Sequence, residues 1–180
     1  MGLIILDRDG VINKDSDKYI KSPEEWIPIP GSLEAIVRLN QAGYRVVIIT
    51  NQSGIARGLF DISDLYRIHN KMYQLLTQMG GTIEAILFCP HLPEENCSCR
   101  KPKPGLFQDL SQRLRLQLVD LPAIGDSIRD IQAAQSAGAA PILVRTGKGS
   151  ITENSKELPQ GIPCYDDLSS AVSSLLATTP

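Results

Sequence analysis

Short, continuous apolar runs alternate along this chain with longer stretches whose apolar residues recur every three or four positions. Residues 3–6 form the first run, which stops at Asp7, as expected of a strand buried on both faces. Residues 32–42 (SLEAIVRLNQA) have helical spacing, with Ser32 as N-cap and Gly43 past the end. Residues 44–50 (YRVVIIT) are β-branched and apolar and predict a second buried strand. A long helix is expected over 62–79, stopped by Gly80 and Gly81, and a third strand over 85–88. An amphipathic helix over 104–118, a strand over 122–125, a helix over 128–137 and a strand over 141–144 follow. Residues 146–163 read as loop, and 167–177 as a closing helix.

Strand alternating with helix predicts a parallel sheet covered on both faces, an α/β chain of three-layer, Rossmann-like form. No repeat, low-complexity stretch or linker divides the sequence, so residues 1–180 are expected to form one domain. The polar residues carry the useful signal. Asp7, Thr50, Cys89 and Asp126 each stand at the C-terminal end of an expected strand, the edge at which open α/β sheets bind ligands.

Composition narrows the partners. With 42% hydrophobic and 21% charged residues, the chain has the balance of a soluble globular protein. A formal net charge of −2 argues against nucleic acid or an anionic membrane as the main partner. The opening MGLIILDRDG has no basic leader region and no small-residue cleavage site, and the reducing cytoplasm is the expected compartment. Clustered cysteines there serve more often as metal ligands than as disulfides.

In DRDGVIN, Asp7 and Asp9 are two residues apart at a strand end, so in extended chain they point the same way. Two carboxylates facing one point need a cation or a proton between them, and Mg²⁺ is suited to one or two carboxylates plus phosphate and water. A solvated Asp-Gly turn is the plainer alternative. AIGDSIRD repeats the arrangement with Asp126, followed one helical turn later by Asp130. Asp126 could also cap the helix after it. TNQSGIARG offers Thr50 and Ser53 hydroxyls, the Asn51 amide, and Gly54 and Gly58 for close backbone approach, a set able to donate to phosphate oxygens. Taken alone, it reads first as a plain polar turn, and the chain holds no P-loop.

Taken in order, Asp7/Asp9, Thr50, Lys101 and Asp126/Asp130 resemble the four motifs of the haloacid dehalogenase superfamily. The resemblance implies sheet order 3-2-1-4-5 and leaves no room for a large cap domain. It also implies a mechanism. Asp7 would attack phosphorus to form an aspartyl-phosphate, and Asp9 would act as acid and then base. Thr50 and Lys101 would bind the equatorial oxygens. Mg²⁺ would be held by Asp7, the Asp9 backbone carbonyl and Asp126, with Asp130 orienting Lys101 or a metal-bound water.

More narrowly, DRDGVIN, TNQSGIARG, the C-x-H…C-x-C-R-K-P loop and VRTGK resemble the D-glycero-D-manno-heptose 1,7-bisphosphate phosphatases. The short spacing between His91 and Cys97 is equally similar to histidinol-phosphate phosphatases. The first resemblance implies release of the 7-phosphate in nucleotide-activated heptose synthesis, on the way to glycans such as lipopolysaccharide. It implies substrate contacts from the segment Asp15 to Tyr19, from Asn51, Gln52 and Ser53, and from Arg100, with Arg57 as a further candidate. These heptose phosphatases often carry Lys after the fourth-motif Asp, where this chain has Ser127. The expected partner is a small sugar phosphate bound by a monomer, with no nucleic acid or membrane. Two alternatives stay open: a histidinol-phosphate phosphatase, and a zinc-stapled binding module without turnover.

Cys89, His91, Cys97 and Cys99 give C-x-H-x5-C-x-C. Three thiolates and an imidazole suit a closed tetrahedral Zn²⁺ site, which would be structural because no position is left for water. Arg100 and Lys101 follow without a gap, so the metal would position the cations that grip phosphate. Cys164 stands apart as an ordinary thiol, His69 reads as a surface or packing residue, and Trp26 as packing near a loop.

Overall fold

A computed structural model describes residues 2–177. The hydrophobic runs become parallel strands: β1 (Gly2–Leu6), β2 (Tyr44–Asn51), β3 (Ala85–Cys89), β4 (Pro122–Gly125), β5 (Ala140–Val144) and a short β6 (Cys164–Tyr165). The periodic stretches become α1 (Ser32–Gln41), α2 (Ile62–Gln78), α3 (Gly105–Leu114), α4 (Ile128–Ser136), α5 (Gly149–Glu153) and α6 (Leu168–Ala177). The strands stand in the order β3-β2-β1-β4-β5-β6, every pair parallel. This is the expected order extended by one edge strand. Among the described residues no helix is long and apolar enough to cross a membrane.

Alternation along each strand divides the core in two. Ile4, Leu6, Val46 and Ile48 face one side and pack with residues of α1, α2 and α6. Leu3, Ile5, Val47 and Ile49 face the other and pack with α3 and α4. Both faces of the sheet are therefore dry, which is why these strands read as unbroken apolar runs.

Four local expectations are corrected. Gly31, at φ 81°, is the N-cap of α1, while Ser32 is its first residue and donates its hydroxyl to the Ile12 carbonyl at 2.6 Å. The helix expected over 104–118 ends at Leu114 because Arg115 takes a left-handed conformation, φ 51°. Asp126 caps nothing: Ser127 is the N-cap of α4, and Asp130 reaches back to accept from its backbone N–H and hydroxyl, at 2.9 and 2.6 Å. Residues 146–163 are not all loop, since they contain α5.

The segment between β1 and α1 lies against the sheet edge and is tied to α2. Trp26 within it is fully buried. Lys71 of α2 donates to the carbonyls of Pro23 and Trp26, at 2.6 and 2.9 Å, with its ammonium 5.9 Å from the Trp26 ring centre. Asp61 and Asp64 close a capping box at the start of α2, so the helix that anchors this segment is itself pinned at its first turn.

Candidate active site

Parallel pairing brings the strand-end acids together. The Asp7 N–H donates to the Ile124 carbonyl at 2.9 Å, carrying the β1–β4 ladder one step past the strand and placing Asp7 beside Asp126. Gly10 and Gly147 flank Asp126, and a Cβ on either would collide with its Oδ2. Both have positive φ, 84° and 58°, so glycine is required there twice over. Asp126 Oδ2 also accepts from the Lys148 N–H at 2.7 Å.

A cleft of about 220 Å³ opens at this edge. Of the residues expected at the site, Asp7, Asp9, Asp15, Tyr19, Thr50, Asn51, Gln52, Ser53, Arg100, Lys101, Asp126 and Asp130 all line it. Arg57 does not; it is exposed beyond the wall. Ser16 and Asp17, inside the expected 15–19 contact segment, line the cleft too, as do Ile20, Arg129 and Lys148, for which no role was expected. Lys148 had a signal, the VRTGK stretch, and its ammonium lies 3.4 Å from Asp15 and 3.8 Å from Asp17. Arg129 stands on the first turn of α4 beside Ser127, so a guanidinium reaches the rim next to the position where a lysine was expected.

Lys101 sits at the bottom of the cleft, 3% exposed. Its ammonium is 3.0 Å from Asp7 Oδ1 and 2.6 Å from Asp130 Oδ1, and donates to the Ile49 carbonyl at 2.8 Å. Burial works against its charge, but Asp130 and Asp7 outweigh burial and raise its pKa. Asn51 clasps the same residue through the main chain, accepting from Lys101 N–H and donating to its carbonyl, both at 3.1 Å. Lys101 is thus positioned from β2 as well as from the cysteine loop.

One cation does not balance three acids. Asp7, Asp126 and Asp130 bring carboxylate oxygens within 4.8 Å of one another. Burial, then Asp130, push Asp7 up to about 7. Burial, then Asp130 and Asp7, push Asp126 up to about 8. Asp130 is held low because Lys101 outweighs its burial. An oxygen-lined site whose acids resist ionising together is the donor set a hard divalent cation requires.

Asp9 faces different partners. Arg8, fully buried, gives its carboxylate three hydrogen bonds: Nε to Oδ1 at 3.1 Å, and NH2 to Oδ1 and Oδ2 at 2.8 and 2.9 Å. Asn13 donates to Oδ1 at 2.9 Å and Gln52 to Oδ2 at 2.8 Å. Gln52 also donates to the Thr50 hydroxyl at 3.0 Å. Burial alone would raise Asp9, but Arg8 and these donors keep it below the usual carboxylate range.

His69 is no surface residue. It is 5% exposed, with Nε2 3.2 Å from NH1 of Arg8. Burial, then the Arg8 charge, push its pKa down to about 3, with Asp9 opposing only in part. The unfolded chain therefore binds a proton at His69 from about pH 6.5 downward that the folded chain refuses. The stability tied to this neutral imidazole is complete above pH 6.5 and is lost as pH falls toward 3. We expect His69→Gln to flatten this acid limb: between pH 6.5 and 4 its melting temperature falls less than that of the unsubstituted protein. Parallel curves would refute the assignment.

Cys89, His91, Cys97 and Cys99 converge on one point. Sulfur–sulfur distances are 3.1 Å (89–99), 3.5 Å (97–99) and 3.6 Å (89–97), and His91 Nδ1 is 3.2 Å from Cys99 Sγ and 3.6 Å from Cys89 Sγ. No disulfide joins them. A tetrahedron built on a Zn–S bond of about 2.3 Å has an edge of about 3.8 Å, so the four donors stand slightly inside the size zinc requires. Arg100 leaves this cluster for the cleft and donates to the His91 carbonyl at 3.3 Å. Burial, then Arg129, with a further push from Arg57, lower the Arg100 pKa.

Known proteins resemble the chain closely. Residues 98–171 match the family model described as HAD-hydrolase-like. The D-glycero-beta-D-manno-heptose-1,7-bisphosphate 7-phosphatase of Bordetella bronchiseptica is 54% identical over 176 residues, 98% of each chain. The enzyme of that name from Pseudomonas aeruginosa is 49% identical over 97% of each. Among solved structures, the B. bronchiseptica D,D-heptose 1,7-bisphosphate phosphatase complexed with magnesium and phosphate superposes with a TM-score of 0.97, covering 99% of this chain and 100% of that one.

Proposed function

Since the chain belongs to the D-glycero-beta-D-manno-heptose-1,7-bisphosphate 7-phosphatase family of haloacid dehalogenase-like hydrolases, we propose that its cleft removes the 7-phosphate of that β-anomer through an aspartyl-phosphate on Asp7. It is a phosphoric monoester hydrolase. The geometric observation that carries the reading is Lys101, buried and shared between Asp7 and Asp130 at the C-terminal edge of the sheet.

In the first half-reaction an Asp7 carboxylate oxygen forms the new bond to phosphorus while the bond to the sugar O7 breaks. Asp9 gives the departing oxygen a proton. In the second, water attacks the same phosphorus, Asp9 takes its proton, and Asp7 is released. Asp9 has Arg8, Asn13 and Gln52 around it in its ionised form, the form required as base. It acquires its proton for the first step when the anionic phosphoester enters beside it. Lys101, the Thr50 hydroxyl and Ser53 are placed to donate to the equatorial oxygens. Asp7, the Asp9 carbonyl and Asp126 would hold Mg²⁺, which supplies charge neutralisation to the transferring group. Asp130 keeps Lys101 in place. Arg100 and Arg129 meet the second phosphate at the rim, with Asp15, Tyr19, Asn51, Gln52 and Lys148 around the sugar and Arg57 contributing charge from outside the wall.

The thiolate–imidazole cluster would hold a structural Zn²⁺. We expect one zinc per chain by elemental analysis and its loss in Cys99→Ser. Because Asn51 holds Lys101 independently, activity should fall about tenfold, within the range for displaced supporting ligands, and further in Cys99→Ser/Asn51→Ala. Zinc-free protein with full activity and full stability would refute this role. Such a site favours a reducing compartment, and the reading is of a monomer in the cytoplasm feeding nucleotide-activated heptose synthesis.

The test is Mg²⁺-dependent phosphate release from both anomers of heptose 1,7-bisphosphate and from histidinol phosphate side by side. Preference for the β-bisphosphate is expected. Preference for histidinol phosphate would overturn the substrate assignment and give the short zinc loop the specificity signal.

A further inference from the structure

We propose that His69, on α2, is a positioning residue for the acid–base step, acting through Arg8 to fix the carboxylate of Asp9. The inference rests on the reading of Asp9 as the acid that protonates the leaving oxygen.

Arg8 is the one side chain that binds Asp9 through a rigid fork. Two of its nitrogens, Nε and NH2, are spent on that carboxylate. The remaining one, NH1, points away from the cleft to His69 Nε2 at 3.2 Å. Guanidinium has only donors, so the imidazole nitrogen must accept and the ring's proton must be on Nδ1. The contact is closed to water: Arg8 is 0% and His69 5% exposed. An N–H left unpaired there would cost its full desolvation, since no solvent can replace the acceptor.

The identity of the acceptor matters as much as its presence. A carboxylate at position 69 would compete with Asp9 for the charge of Arg8. A neutral imidazole takes one N–H and leaves the charge to Asp9. The helix that presents it is fixed on the same face by Leu65, Ile68 and Met72, all fully buried. The orientation of Asp9 is thereby referred to the core of α2 rather than to the solvent side of the cleft. Acid catalysis depends on that orientation, because the carboxyl must meet the leaving oxygen within hydrogen-bond reach and angle.

The distinguishing readout is leaving-group dependence. A sugar alkoxide needs a proton to leave; 4-nitrophenolate does not. Values of kcat/KM cover the steps through departure of the leaving group and so isolate this requirement. For His69→Leu we expect kcat/KM on heptose 1,7-bisphosphate to fall about tenfold or more, a part of the 10²–10⁴-fold worth of general acid catalysis, while 4-nitrophenyl phosphate loses less than about threefold. His69→Gln, whose side-chain oxygen can accept from Arg8, should recover most of the loss. Asp9→Asn is the control and should show the same selectivity in larger measure. If His69→Leu loses both substrates equally, or His69→Gln is as impaired as His69→Leu, the residue is only structural and the proposal fails. If Asp9→Asn is selective and His69→Leu is not, the brace fails and the acid stands. If Asp9→Asn itself loses both substrates equally, the reading of Asp9 as the acid fails first.

Discussion

Asp7→Asn should abolish turnover, by at least about 10³-fold, while leaving a folded and, without metal, more heat-resistant protein. Activity is lost because an amide oxygen cannot form the acyl-phosphate bond that splits the reaction in two. Protein quenched in acid after brief exposure to labelled substrate should carry phosphate in the unsubstituted enzyme and none in the variant. The stability effect has its own sign. Asp7 has a pKa of about 7, raised first by burial and then by Asp130, against an unfolded value of 3.8. The folded chain therefore holds a proton there that the unfolded chain releases, and this contribution to stability is present below pH 4 and lost as pH rises through about 7. Above that pH the ionised Asp7 burdens the metal-free fold, and asparagine does not ionise. In chelator, the variant should melt above the unsubstituted protein at pH 8, and the two should converge toward pH 4. Mg²⁺ should then stabilise the unsubstituted protein more than the variant. Retained turnover would remove Asp7 from the mechanism, and a variant destabilised at pH 8 would mean that its pairing with Lys101 outweighs the repulsion.

The contrast between Asp7 and Arg8 shows what a linear sequence reveals. Buried parallel strands announce themselves as unbroken apolar runs, and a polar residue ending such a run can only face the sheet edge. Asp7, Thr50 and Asp126 were legible for that reason, and the cysteine loop for its ligand spacing. Arg8 carries no such signal: it grips Asp9 next to it in sequence, and nothing in DRDG tells which other element it meets. Its partner is 61 positions away on α2, where an isolated histidine in a helix has no periodic signal to distinguish a polar brace from packing. Helix ends failed for a related reason. Ser32 has the composition of an N-cap, yet Gly31 takes the position and the serine hydroxyl is drawn to Ile12, a tertiary contact that outweighs local preference. Arg115 stops α3 in a left-handed conformation that no glycine marks. The two-residue strand β6 is too short to carry a period at all. Arg57 shows the limit on the other side: a cation on an exposed turn can serve a substrate anion or only solvent, the sequence does not say which, and its side chain stands outside the cleft wall.

Lys101 carries the largest combined effect. Its ammonium lies 3.0 Å from Asp7 and 2.6 Å from Asp130 and donates to the Ile49 carbonyl, at the bottom of the cleft. Lys101→Met keeps the length of the side chain and removes the charge, leaving two buried carboxylates opposed with nothing between them. Removing one partner of a buried ion pair costs about 3–5 kcal/mol, so the variant should lose much of its stability in chemical denaturation. It should also lose at least about 10²-fold in turnover, as loss of a preorganised donor to the transferring group predicts. Low activity by itself would not separate these effects. Lys101→Met/Asp130→Asn separates them: the second change removes the orphaned charge, and an asparagine carbonyl can still accept from Ser127 as Asp130 does at 2.9 and 2.6 Å. The double variant should regain most of the lost stability and none of the lost turnover. Recovery of both would make Lys101 a structural counter-ion only. Recovery of neither would mean that the methionine itself disturbs the end of β2, where Asn51 clasps the backbone of Lys101.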